Sequence, residues 1–427
     1  MYILLFLLAS CNAYYLNNWF PVLSLSTSDF THPKQVRVLG KDFVVWKKDE
    51  KLMIQDDVCA HRCAPLSEGY IDRESKNLRC AYHGWEFNEK GGCTTIPQLD
   101  SGEINNKKAC IRNYPTEQYG DLLWMYLGND TVIPDLKKTY SIAPSTTMFS
   151  RILPYGFYIL LENFFDPAHI PFAHHKLQSV RSAASPIGMK VISEKNDTNK
   201  LSIQFENKDI IERIAIMNFE MPGYYYLETI KPKISFLKGL YLFMVPVEED
   251  KTLTFIGYHF NEEDFKYKIF TSIPFWMRHL LTNRFLDSDT LILHKQEQYL
   301  KMHNESYHHN SQYYMPTESD LSIRSYQNWI RKALPKIPFF YKRKITRELT
   351  RSEILDRYTQ HTRDCKFCSG ALKNGKRIQK YGTLFWISCF GVFKNPFLII
   401  LAFINYYILK KFKHYFLFHD YVHNKID

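Results

Sequence analysis

The sequence predicts an α+β protein in three successive parts. An all-β N-terminal domain comes first, then helices packed on an antiparallel sheet, then apolar C-terminal helices. Three observations carry that expectation. Between Trp19 and Leu127 short β-like runs such as QVRVLGKDFVVWKKDEKLMIQDDVC are separated by the turn signals KGG and DSG. From Ile187 to Tyr258 strand patterns recur, and PFWMRHLLTNRFLDSDTLILHKQEQYL then takes up a long helical period behind Pro274, a residue suited to a first turn. Helices against a sheet are the natural packing of such a middle region. Finally, Thr383 to Leu409 is almost wholly apolar.

Taken in order, residues 1–18 form a leader-like segment. MYILLFLLAS has the apolar core of a signal peptide but no basic start, and it is too short to cross a bilayer. Residues 19–130 make the first domain and 131–370 the second, with a helical pattern from about Ile152 to Gln178. A polar loop follows from Tyr307, then helix to about Tyr358. Residues 371–427 make a hydrophobic anchor and a basic tail. Lys394 and Asn395 divide the anchor into apolar legs of 11 and 14 residues. Each leg is shorter than the roughly 20 residues a spanning helix needs. Basic residues flank both outer ends (Lys373, Lys376, Arg377 and Lys380; Lys410, Lys411 and Lys413). This favours a re-entrant hairpin over one tilted span, with a soluble helix pair as the plainer alternative. Membrane attachment through the C-terminus is the expectation.

Composition narrows the function classes. With 427 residues, 45% hydrophobic and 16% aromatic, the chain can bury a core large enough for cofactors and is not disordered. A net charge of +11 suits an acidic partner or an anionic membrane surface. Nucleic acid is not expected, because no long basic run, zinc-finger spacing or recognition helix accompanies that charge. Nine cysteines, an odd number scattered over a long chain, make a poor disulfide framework.

Two constellations carry chemistry. CAHRCAPLSEGYIDRESKNLRCAYHGWEF gives Cys59-x-His61 and then Cys80-x-x-His83, two pairs that can close a four-ligand metal site. Zinc is the generic occupant of such pairs. A [2Fe–2S] cluster with two thiolates on one iron and two imidazoles on the other is the Rieske alternative, in which neutral imidazole raises the potential. Spacing alone leaves both open. In ENFFDPAHIPFAHH, Asp166, His169 and His174 stand at i, i+3 and i+8, near one face of a helix. Two histidines and a carboxylate are the triad of a mononuclear non-haem Fe(II) centre. A satisfied core histidine is the plainer reading of either one.

The first stretch resembles the Rieske domain of ring-hydroxylating and related oxygenases, whose pattern is C-x-H-R … C-x-Y-H-G-W. DPAHIPFAHH and GWEFNEKGGCTTIPQ narrow the resemblance to the pheophorbide a oxygenase group of plastids and cyanobacteria, which includes a translocon-associated Rieske protein of the inner envelope. The resemblance implies a [2Fe–2S] cluster on Cys59, His61, Cys80 and His83, with Cys63 a bystander and Cys93 and Cys110 ordinary thiols. It also implies mononuclear iron on His169, His174 and a later carboxylate, Asp289, with Asp287 the close alternative and His175 a register competitor. Asp166 becomes the electron bridge between subunits of a homotrimer, and Asn163 a polar neighbour of the iron. The implied activity uses ferredoxin electrons and O₂ to oxygenate a tetrapyrrole at a plastid membrane, inner envelope or thylakoid. A Rieske sterol desaturase and a non-catalytic translocon redox component are the alternatives. A late C-x-x-C, Cys365 and Cys368, marks the same group and reads as a thioredoxin-sensitive dithiol or half a zinc site.

Overall fold

The computed structural model describes residues 17–100, 102–105, 107–140, 147–193, 197–207, 213–231, 237–303, 313–333 and 348–423. The body of the leader, residues 1–16, lies outside them. The N-terminal strands are β1 (Trp19–Ser24), β2 (Lys34–Val38), β3 (Lys41–Lys48), β4 (Lys51–Asp56), β5 (Tyr70–Ile71), β6 (Leu78–Arg79), β7 (Glu86–Phe87), β8 (Cys93–Thr95), β9 (Asn113–Tyr114), β10 (Thr116–Tyr119) and β11 (Leu122–Tyr126). They form three antiparallel sheets, ordered β2-β3-β4-β9, β5-β6-β7-β8 and β1-β11-β10. Alternation of apolar residues sets the faces. Phe43 and Val45 of β3 pack with Ile54 of β4 into one core, whereas Val44 and Trp46 face a second core under β5 to β8.

The larger sheet is built from β12 (Phe149–Leu153), β13 (Gly188–Val191), β14 (Lys200–Asn207), β15 (Arg213–Glu220), β16 (Tyr224–Lys231), β17 (Leu237–Glu248) and β18 (Lys251–Phe260). Its order is β12-β18-β17-β16-β15-β14-β13, antiparallel throughout. One hydrophobic core runs from Trp19 to Ala333 and joins this sheet to β1 and β11. At that junction the Trp124 ring meets Phe243 edge-on at 4.9 Å.

The long helix Phe275–Met302 starts behind Pro274, as its period predicts. At 28 residues it is about 42 Å long. Its buried side is unusually polar, with His279, Asn283, Asp287, Ser288, Asp289, His294 and Glu297 all turned inward. Asp287 is fully buried between Arg151 of β12, at 2.8 Å, and Arg357, at 2.5 Å. Arg357 also donates to the Tyr415 carbonyl at 2.7 Å, so one carboxylate ties strand, helix and C-terminal segment together.

Two expectations change. The segment Ile152–Gln178 is not one helix. Ile152 belongs to β12, a helix runs over Phe157–Phe164, Asp166 then caps a short turn at Pro167–His169, and one further helical turn covers Ile170–Ala173. Prolines 167 and 171 each open a new turn, because a ring without an N–H is tolerated at a helix start but not inside one. The apolar legs also lie within longer helices, Lys366–Phe393 and Phe397–Leu417, joined by a turn with Lys394 at φ 55°. No helix among the described residues is long and apolar enough to cross a membrane, which removes the single tilted span. The two helices approach closely at Gly375, where a Cβ would come within 2.9 Å of the Phe412 ring. Gln379 and Lys413 form a polar rung between them at 2.5 Å.

Replacing Asp287 with Asn should cost about 3–5 kcal/mol, because it leaves two buried guanidiniums without their counter-charge. Chemical denaturation of D287N beside D42N, which loosens only a half-exposed pair with Arg37, should show the large loss in the first protein. The second should stay within about 1 kcal/mol of the parent.

Candidate metal centres

The loops after β4 and β6 share one construction. The Cys59 N–H donates to the Ala64 carbonyl at 2.8 Å and the Cys63 N–H to the Cys59 carbonyl at 3.0 Å. In the second loop Cys80 donates to Trp85 at 2.9 Å and Gly84 to Cys80 at 3.0 Å. The fifth residue of each loop has a left-handed backbone: Cys63 at φ 59° and Gly84 at φ +76°. Cys63 thus holds the place glycine fills in the other loop, and its thiol is exposed.

Cys59 and Cys80 are each 1% exposed, while His61 and His83 lie at the half-exposed rim with ring centroids 4.5 Å apart. The His61 ring stacks on Trp85 at 4.7 Å. Burial, with Cys80 alongside, pushes the Cys59 thiol up to about 11, so a thiolate at Cys59 needs a cation beside it. The buried Nδ1 of His61 has no hydrogen-bond partner. An orphaned imidazole nitrogen beside two buried thiols fits a cluster held by two Cys and two His.

The second centre joins the broken helical segment to the long helix. Three side chains, His169, His174 and Asp289, bring one donor atom each within 4.8 Å of the others. The two Nε2 atoms are 3.3 Å apart, and the Asp289 Oδ2 lies 3.4 Å from that of His174. Their opposite nitrogens are occupied. His169 Nδ1 bonds the Asp166 carbonyl, and His174 Nδ1 meets the Ser288 hydroxyl at 2.7 Å. Ser288 gives its own proton to the Phe285 carbonyl at 2.5 Å, so it must accept from His174. Both Nε2 atoms therefore present lone pairs to each other with no proton between them, an arrangement that a cation stabilises. Burial, reinforced by His169, drives His174 down to about 3, so it stays neutral. Burial pushes Asp289 up to about 7.

These donors open onto a cavity of about 570 Å³, within the roughly 300–1,000 Å³ of small-molecule sites. Its walls are mostly apolar, among them Phe164, Phe205, Met217, Leu240 and Phe285, and Asn163 reaches it. Arg278 is the only Arg or Lys among the described lining residues. It lies over the Phe275 ring at 4.1 Å, and its buried Nε has no partner.

The other predicted residues fall as follows. Asp287 is committed to Arg151 and Arg357 rather than to this centre or to a helix cap. His175 Nδ1 accepts from the Arg181 backbone at 3.0 Å, so its ring is engaged away from the histidine pair. The Asp166 carboxylate accepts from Ala168 at 2.8 Å with one oxygen, and the other lies 3.8 Å from His169 Nδ1. Cys365 and Cys368 are both buried, unlike the exposed attacking thiol of a redox pair. Sequence reasoning passed over Ser288, Arg278, His279 and His361. Only His361 left a signal, its H-x₃-C-x₂-C spacing with those cysteines.

Known protein families and relatives match much of the chain. The Rieske [2Fe-2S] domain family matches residues 18–115, and the pheophorbide a oxygenase family matches residues 219–306. The chain is 30% identical to "Pheophorbide a oxygenase, chloroplastic" of Arabidopsis thaliana, over 96% of this chain and 84% of that protein. It is also 30% identical to "Flavonoid 8-hydroxylase 2, chloroplastic" of Ocimum basilicum, over 83% of this chain and 73% of that one. Among solved structures, dicamba monooxygenase bound to dicamba superposes with a TM-score of 0.59 at 16% identity, covering 75% of this chain and 98% of that one. That likeness shows the fold alone.

Ser288→Ala should remove the acceptor that fixes the His174 tautomer. Iron analysis with EPR is expected to show the mononuclear centre weakened about 10–100-fold in affinity while the Rieske signal is unchanged.

Proposed function

The chain belongs to the pheophorbide a oxygenase family of Rieske non-haem iron oxygenases, and from that premise we propose that it oxygenates a carboxylate-bearing tetrapyrrole. The observation that carries this reading is the cavity above His169, His174 and Asp289, apolar on its walls, with Arg278 the one guanidinium among its described lining residues. A flat, greasy ring system fits those walls, and a propionate on its edge would pair with Arg278. A tetrapyrrole carries both features. A relative named for a flavonoid keeps a smaller flat substrate as the second reading.

The enzyme carries a [2Fe–2S] cluster and mononuclear iron. In this reading Cys59, His61, Cys80 and His83 hold the first, and His169, His174 and Asp289 hold the second. Bound there, the two groups supply single-electron transfer and O₂ activation. Ser288 and the Asp166 carbonyl keep the two imidazole protons on Nδ1, so both Nε2 atoms stay available. The Asp166 carboxylate, half-exposed beside His169, would bridge to the Rieske loop of a neighbouring subunit in a homotrimer. The basic surface suits an acidic ferredoxin.

Chloroplastic relatives support a plastid location. The helical hairpin would dock there on the membrane surface without crossing it. Its distal end exposes Val392, Phe393, Phe397 and Phe403, each 64–74% exposed, with Lys394 in the turn between them and further lysines nearer its base.

Turnover by the full-length holoprotein with reduced ferredoxin and O₂ tests the substrate. Product is expected from pheophorbide or another acid-bearing tetrapyrrole and not from a flavone or a sterol; the reverse outcome overturns the reading. Arg278→Gln should raise KM for the acid about tenfold, roughly 1.4 kcal/mol, and change little for its methyl ester. Asp166→Asn should keep both metal centres and lose turnover. Full activity in D166N would exclude the inter-subunit route.

Flotation with anionic liposomes tests the hairpin. The parent should float with the vesicles and the double variant F393D/F397D should not.

A further inference from the structure

A third convergence of metal-binding side chains lies away from both centres. His279 comes from the long helix, His361 from the π-helical turn Tyr358–Thr362, and Cys365 and Cys368 from the start of helix Lys366–Phe393. One donor atom from each falls within 4.8 Å of the other three. We propose that His279, His361, Cys365 and Cys368 hold a tetrahedral divalent metal ion, zinc by its donor set, which clamps the hairpin to the catalytic helix.

The distances match such a site. His279 Nδ1 lies 3.4 Å from the Cys365 Sγ and 3.5 Å from the Cys368 Sγ, and His361 Nε2 lies 3.3 Å from the Cys368 Sγ. A tetrahedron with Zn–S near 2.3 Å and Zn–N near 2.0–2.1 Å has nitrogen–sulfur edges of about 3.5 Å. His361 is oriented for the role. Its Nδ1 donates to the Ser150 carbonyl at 2.6 Å, which leaves the Nε2 lone pair facing the thiols.

Burial separates this site from an accessible dithiol. The four residues are 4%, 3%, 3% and 0% exposed, and Phe149 closes over both rings, 5.2 Å from His279 and 4.4 Å from His361. A reductase could not reach these sulfurs without opening the core. Both cysteines are free thiols.

Four protein donors leave no open position, so the site is structural rather than catalytic. Its position gives it leverage. His279 and Asp289 lie ten residues apart on one helix, about 15 Å along its axis. Through His361 and the Ser150 carbonyl the clamp also reaches β12.

Elemental analysis of the full-length holoprotein tests the proposal. About one zinc per chain is expected beside the iron of the [2Fe–2S] and mononuclear centres. Zinc EXAFS on protein whose Rieske EPR signal accounts for one full cluster per chain should then report two sulfur and two nitrogen neighbours, a signature that zinc misplaced among His169, His174 and Asp289 cannot give and that the filled Rieske site cannot supply. Cys368→Ser should lose that zinc while keeping the Rieske EPR signal. If C368S fails to fold, the EXAFS of the unaltered protein still decides. Absence of non-iron metal, a sulfur-free zinc shell, or a native Cys365–Cys368 disulfide found by alkylation mapping would each overturn it.

Discussion

The fully buried Asp287 carboxylate, shared by Arg151 and Arg357, is the constraint on which the catalytic half depends. Two guanidiniums and one carboxylate leave a net positive charge in the core, which is unfavourable unless every remaining donor finds a partner. They do so through Gln360, Asn283 and the Tyr415 carbonyl. A strand, the long helix, the π-helical turn and the hairpin therefore meet at one point. Few other registers of the long helix would satisfy all four at once. Register is what the metal centre needs, because Asp289 reaches His174 only when Asp287 points the other way.

The inward polar side of the long helix then reads as a series of separate tasks. His279 faces Cys365 and Cys368, Asp287 faces the arginines, Ser288 and Asp289 face His174, and Glu297 accepts from the Gly156 backbone at 3.0 Å. A helix with so polar a buried side gains less from apolar burial than an ordinary amphipathic one. The balance is made up by polar partners on the strands and turns it crosses. The cost buys alignment of a carboxylate with two imidazoles more than a hundred residues earlier in the chain.

How much could be read beforehand follows the same physics. Cys59, His61, Cys80 and His83 were legible because each pair lies within one short loop. The antiparallel sheet and the long helix were legible from periodicity. Asp289 was reached only through resemblance, since two positions along a helix differ by about 200° and only the register separates it from Asp287. The broken segment after β12 read as one helix because its apolar spacing is helical throughout, and the prolines that divide it are also compatible with helix starts. His279 gave no signal. Its partners lie more than eighty residues downstream, and its spacing on the helix is that of any core residue.

Histidine tautomers separate a metal centre from a merely buried ring. His169, His174 and His361 each tie Nδ1 to a carbonyl or hydroxyl and leave Nε2 for something else. His294 does the same, donating Nδ1 to the Pro154 carbonyl at 2.6 Å with its buried Nε2 unpartnered. Yet His294 belongs to no cluster of ligating groups among the described residues. A locked tautomer is therefore insufficient by itself; what distinguishes the centres is that further soft or anionic donors converge on the same free nitrogen. At His174 that donor is Asp289, and at His361 it is Cys368. The locks are made by backbone carbonyls and one serine, groups whose positions only the fold supplies, whereas the converging donors are the residues a sequence motif can name.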